Sequence, residues 1–170
     1  GIRHRDGHVT PVMYNATVYR DESGNVMGVF AAARDITERK LMEKAGVILQ
    51  EKGRVAVELA KRSVLGKQVE QAPLRDALRF FIEGWDDVLH PALVSLACEA
   101  VGGKPEETTK VGAALVLLAG CADIHDDVID ESMIKGSEQT VFGRFGKDLA
   151  ILAGDALLLE GVYLLHEACE

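Results

Sequence analysis

The chain has 170 residues, 48% of them hydrophobic and 5% aromatic, with a formal net charge of −8 and 3 cysteines. That length allows one domain or two small ones. The hydrophobic share and a mean hydropathy of +0.07 exclude a disordered polymer, and the acidic balance excludes a general nucleic-acid binder, which needs a basic footprint. Cys98, Cys121 and Cys169 are an odd set without CxxC spacing. They argue against a disulfide scaffold or zinc knuckle and suit a reducing, cytoplasmic setting. The longest apolar stretch, Val111 to Ala122, has 12 residues. A bilayer span needs roughly 20, so no integral membrane segment is expected. No basic region precedes an apolar one at the start, so no signal peptide is expected. The chain opens on Gly1 and stops at Glu170 inside a helical pattern, so a piece of a longer protein is the expectation.

Charge divides the chain. Residues 1–40 hold 6 Lys/Arg and 5 Asp/Glu, a net of +1, and residues 41–170 hold 13 and 22, a net of −9. Residues 8–34 alternate and are rich in strand formers: Val9, Val12, Tyr14, Ala16 and Val18, then Val26, Val29 and Phe30. Between the two runs, Asp21-Glu22-Ser23-Gly24-Asn25 predicts a turn, and the whole predicts a hairpin. A lone hairpin is unstable in water, so more of its sheet is expected before residue 1. Asp35 followed by Glu38 is a helix-start signature. From Leu41 the positions Leu41, Ala45, Ile48, Lys52, Val55 and Leu59 follow 4-3-4-3-4 spacing, a heptad seam broken by one lysine. That seam predicts a two-helix coiled coil or an amphipathic connecting helix.

Arg5-Asp6-Gly7, the hairpin and Ala33-Arg34-Asp35-Ile36-Thr37-Glu38-Arg39-Lys40 resemble the C-terminal half of a PAS sensor domain, the last string looking like that family's exit motif. The resemblance implies a sensing domain at 1–37 that passes a signal through a connecting helix at 38–69. No cofactor can be assigned to this half.

From residue 55 the pattern is helical. Pro73 opens a helix through Leu74, Leu78, Phe81 and Ile82 that ends at Gly84. His90-Pro91 opens another, closed by Gly102-Gly103. A long helix is predicted over 106–131, a glycine-containing loop or broken helix over 132–146, and a last helix over 147–169. Four or five helices with short loops predict a bundle.

Chemistry concentrates at Asp123-Ile124-His125-Asp126-Asp127-Val128-Ile129-Asp130-Glu131, directly after a very apolar run. On a helix Asp126 and Asp130 lie about 40° and one turn apart, with Asp127 within about 100° of both. Three carboxylates grouped on one side repel one another unless a cation arrives. Mg²⁺, a hard cation that keeps waters and takes phosphate oxygens, suits them. Asp155 stands alone in an apolar helix and is expected to be paired or hydrogen-bonded.

His125 to Ser132, Thr140-Val141, Phe145-Gly146 and Ala150-Ile151-Leu152-Ala153-Gly154-Asp155-Ala156-Leu157-Leu158 together resemble the trans-type polyprenyl diphosphate synthases, over about residues 70–170. The resemblance implies an all-α isoprenoid-synthase-like bundle with a central cavity. It also implies Mg²⁺-dependent condensation of isopentenyl diphosphate with an allylic diphosphate. Asp126, Asp127 and Asp130 are then the catalytic and metal-holding residues. Lys135, His125 and Asp155 are the expected substrate-binding residues. Cys121 and Ala122, small and one turn earlier, leave room for a long product. Where the family carries a basic diphosphate-binding stretch, this chain has Gly84-Trp85-Asp86-Asp87-Val88-Leu89-His90-Pro91, and after the aspartates it offers Lys135 in place of an arginine pair. Asp86 and Asp87 are electrostatically backward for binding phosphate, which predicts weak or absent chain elongation.

The expected fold class is therefore mainly α: part of a PAS hairpin, a helical linker and part of a bundle at 70–170. The expected partners are prenyl diphosphate small molecules and a second copy in a homodimer. One alternative is a catalytically impaired ligand-binding or regulatory module in a PAS signalling protein. Another is an HD-type metal phosphohydrolase that uses His125-Asp126, with His90 upstream.

Overall fold

The computed structural model describes residues 1–170, which fall into two compact units, Gly1–Val47 and Ile48–Glu170. In the first unit, β1 (Ile2–Arg3) pairs antiparallel with β2 (Val9–Thr10) around a turn at His4–Gly7. The longer ladder joins β3 (Val12–Arg20) to β4 (Val26–Asp35), with Val12 opposite Asp35 and Val18 opposite Val29. Its turn closes where the sequence places it: Asp21 Oδ1 accepts from the Ser23 and Asn25 amides, and Gly24 takes φ +83°. None of the β3 or β4 residues is buried.

Helix α1 (Thr37–Leu65) starts where Asp35 Oδ1 accepts from the Thr37 amide and hydroxyl. The unit boundary falls inside this helix. The heptad seam is not its buried face. Leu41, Ile48 and Val55 stay exposed, and burial follows Gly53, Ala56, Val57, Ala60 and Val64 instead. Small side chains let that stripe approach the other helices, while Lys52 on the seam is half-buried and pairs with Glu99.

The second unit is a helical bundle. It comprises the end of α1, α2 (Ala72–Gly84), α3 (Leu89–Ala100), a 3₁₀ turn at Pro105–Thr108, α4 (Thr109–Ile129), α5 (Val141–Phe145) and α6 (Lys147–Ala168). The loop expected at 132–146 holds a small hairpin, β5 (Ile134–Lys135) with β6 (Glu138–Gln139), ahead of α5. Core residues include Ile82 of α2, Val116, Leu117 and Ile124 of α4, and Leu157 of α6. The closest pairing is α4 with α6, whose facing stripes are built largely of alanine and glycine. By length and composition alone α6 is apolar enough to cross a membrane. Its stripe of Ala150, Ala153, Gly154, Leu157, Gly161 and Leu164 is buried in the bundle.

Candidate functional site

The C-terminal end of α4 brings the acidic string onto the bundle surface. The helix runs to Ile129, Asp130 caps it, and Glu131 then turns left-handed with φ +54°, while the Ser132 amide donates back to the Asp127 carbonyl. A non-glycine residue in that conformation is uncommon, so the reversal is held in place by hydrogen bonds from the segment after it. The Thr140 hydroxyl donates to the Ser132 carbonyl and accepts from the Gly143 amide, and the Thr140 amide donates to the Met133 carbonyl. The reversal returns β5 toward α4. There Lys135 Nζ lies 2.7 Å from Asp123 Oδ1 and 3.1 Å from Asp127 Oδ1.

The four aspartates of the string therefore do not act as one group. Asp126 lines a cavity of about 680 Å³ with Trp85, Asp86, Asp87, His90, Ala119, Ala122 and Asp123. Asp127 is buried and lines a second cavity of about 320 Å³, which it shares with Phe80, Phe81, Trp85, Asp123 and Lys135 among others. Burial pushes the Asp127 carboxyl above its ordinary range, and Lys135 partly offsets that. The Asp123 hydrogen bond leads in raising the Lys135 ammonium. Asp126 and Asp127, about 100° apart on the helix, line different cavities. Asp123, present in the string but given no role from sequence, lines both cavities. Its i,i+4 spacing to Asp127, with a single basic residue downstream, was the available signal.

His125 turns away from both cavities toward α6. Its Nε2 lies 3.3 Å from the Ile151 carbonyl oxygen and 3.5 Å from Asp155 Oδ1, and its Nδ1 is 3.7 Å from Cys121 Sγ. Gly154 makes the approach feasible, since a Cβ there would strike the His125 ring. Burial, with a contribution from Asp155, raises the Cys121 thiol. Of the small pair one turn before the aspartates, Ala122 lines the large cavity and Cys121 packs beside His125. His125 and Asp126 therefore diverge, which leaves the HD-type pairing without its geometry.

Asp86 and Asp87 both have partners of their own. Asp86 lies 3.8 Å from Arg54 and 3.6 Å from Lys61 of α1. Asp87 accepts from the Leu89 and His90 amides at the start of α3 and sits 2.6 Å from His90 Nδ1. Trp85 stacks on Phe81 and donates Nε1–H to the Val116 carbonyl, and it walls both cavities.

No three His, Cys, Asp or Glu side chains converge closely enough to hold a metal unaided. Asp126 and Asp130 are exposed and one turn apart, and Lys135 pairs with neither. Such a donor pair fits Mg²⁺, which commonly takes one or two carboxylates and completes its shell with water and phosphate oxygens.

Residues 74–169 match the polyprenyl synthetase family, and the chain belongs to that family. It is 34% identical over 110 residues to the short chain isoprenyl diphosphate synthase of Methanothermobacter thermautotrophicus, covering 65% of this chain and 33% of that protein. It is 35% identical over 80 residues to the geranylgeranyl diphosphate synthase of Sulfolobus acidocaldarius, covering 47% and 24%. Among solved structures, the geranylgeranyl pyrophosphate synthetase of Geoglobus acetivorans superposes with a TM-score of 0.62 at 28% identity, covering 69% of this chain and 38% of the other. A polyprenyl synthetase from Streptomyces coelicolor gives 0.64 at 24% identity, covering 74% and 39%, and so shows the fold alone. The fold is thus mainly helical and isoprenoid-synthase-like, with small N-terminal antiparallel hairpins. The chain spans about a third or less of the curated relatives it matches. The family match begins at residue 74 and does not reach the hairpins.

Proposed function

We propose that the helical unit binds the diphosphate of an allylic prenyl diphosphate through Mg²⁺ held by Asp126 and Asp130, as part of a prenyltransferase-type domain. The observation that carries this is Asp126 on the wall of the 680 Å³ cavity, within the segment matching the family. Bound there, Mg²⁺ would supply charge stabilisation for a departing diphosphate. Lys135 contributes a second positive group for phosphate oxygens. Ala119, Ala122 and Trp85 give the cavity an apolar side for a prenyl chain. With only Ala122 of the small pair on that wall, a long chain meets no bulky residue at that level.

Condensation with isopentenyl diphosphate is proposed to be weak or absent. The loop presents the carboxylates of Asp86 and Asp87 where a second diphosphate needs cations, and they engage the nearby basic groups Arg54, Lys61 and His90. This supports a binding or regulatory module as the second reading. For residues 1–37 the PAS proposal rests on the exit motif and the hairpin pattern alone. The same proposal includes the division at 37 and 69, a homodimer and a cytoplasmic setting, the last consistent with three free cysteines.

The test is thermal denaturation of the full chain with Mg²⁺ and geranylgeranyl diphosphate. Ligand binding to the folded state at 100 times Kd contributes about 2.7 kcal/mol, an upward shift of several degrees. EDTA or Asp126→Ala should abolish it. A wild-type chain that shows no shift sinks the proposal. Labelled isopentenyl diphosphate then reads condensation, and robust turnover would show that Asp86 and Asp87 are tolerated.

A further inference from the structure

Asp123 lies outside the Asp126, Asp127 and Asp130 set, yet it makes the shorter of the two contacts to Lys135, at 2.7 Å against 3.1 Å for Asp127. Lys135 sits on a two-residue strand whose side chains are exposed, and no other ion pair holds it. Its ammonium has three N–H donors. Asp123 and Asp127 take two of them, and one is left.

We infer that Asp123 is a positioning residue for diphosphate binding: with Asp127 it fixes Lys135 in place, so that one N–H stays available to a phosphate oxygen. This role rests on the proposed diphosphate site and assigns Asp123 and Asp127 a part separate from that of Asp126 and Asp130. The physics is pre-organisation. A lysine side chain is long and rich in rotamers, and ordering it at the moment of binding weakens affinity. Two carboxylates on adjacent turns of one rigid helix do that ordering beforehand. Both come from α4, the helix that also carries Asp126. Lys135 is thereby tied to the element that carries the metal-holding aspartates. Asp127 alone cannot do this as well, because a single contact leaves the ammonium free to swing about it.

The probe is inorganic pyrophosphate, titrated by calorimetry into the full chain at saturating Mg²⁺, with the Mg²⁺ concentration for half-saturation measured separately. Asp123→Asn should weaken pyrophosphate about tenfold, the loss of one charge-assisted contact, and leave the Mg²⁺ requirement unchanged. Asp126→Asn should raise the Mg²⁺ requirement instead. In a Lys135→Met background, Asp123→Asn should cost nothing further, since the residue acts through the lysine. Asp123→Glu, which keeps the charge, should recover most of the affinity and covers the case in which the asparagine variant misfolds. If Asp123→Asn binds pyrophosphate like wild type, the positioning role is overturned while the diphosphate site stands. If it raises the Mg²⁺ requirement as Asp126→Asn does, Asp123 is a metal ligand and the inference is equally overturned. If the wild type binds no pyrophosphate, the diphosphate site and the positioning role fail together.

Discussion

Strands β3 and β4 set Val12, Tyr14, Ala16 and Val18 on one face, with Ala33, Ala31 and Val29 opposite the last three, and bury none of them. Helix α4 has a comparable run of apolar residues and buries nine positions, Leu117 among them completely. The two regions have similar hydrophobic content, and the difference lies in what each has to pack against. In the hairpin, cohesion comes from ladder hydrogen bonds and cross-strand pairs, each pair contributing about 0.2–1 kcal/mol. In the bundle it comes from apolar area removed from water, about 25 cal/mol per Å².

The sharpest way to break that contrast is to truncate one residue in each region. Leu117→Ala should destabilise the helical unit by about 2–5 kcal/mol, a large fraction of typical domain stability. Val29→Ala, at an exposed hairpin position, should change stability by less than about 0.5 kcal/mol. Urea denaturation followed by helical circular dichroism measures both. Equal effects would mean that the hairpin face is covered in solution.

A smaller effect is expected from Gly154→Ala. The added methyl would meet the His125 ring, and buried Leu157 and Leu164 on the same face hold α6 in the bundle. Overpacking at such a site costs about 1–3 kcal/mol. His125 precedes Asp126 directly, so the change should also weaken Mg²⁺-dependent pyrophosphate binding, which a purely remote packing defect would leave alone. A variant with full affinity and lowered stability would separate the α4–α6 seam from the aspartates.

Much of this architecture is legible before folding. Pro73 and Gly84 bracket α2, and Gly102-Gly103 ends α3, because proline and glycine act locally on the backbone. The turn at Asp21–Asn25 is legible for the same reason. The β5–β6 ladder is not, since two strands of two residues give no periodicity to detect. The site is half legible. Its acidic string announces itself, but which carboxylate meets which neighbour depends on a 100° step around α4 and on a loop reversal at Glu131. Neither is visible in composition. The heptad seam misleads because spacing reports which residues share a face. It does not report which face finds a partner, and Ala56 and Ala60 fit against the bundle where Val55 does not.

The smallest effect belongs to the start of α1, and it probes the hairpin side of the comparison. Hydrogen bonds from the Thr37 hydroxyl and amide hold the Asp35 carboxyl below its ordinary value of 3.8. The folded form therefore takes up a proton less readily than the unfolded one. The stabilisation is fully present above about 3.8 and is lost as the pH falls through the depressed folded value. The residue is exposed to solvent, so the effect on global stability is slight. Its local signature is clear nonetheless. The Asp35 carboxyl carbon, followed by NMR, should titrate with a midpoint below 3.8, and exchange at the Thr37 amide should accelerate over the same range. In Asp35→Asn that acceleration should vanish. A midpoint at or above 3.8 would mean that the helix start is frayed, and that the ladder alone holds Asp35 in place.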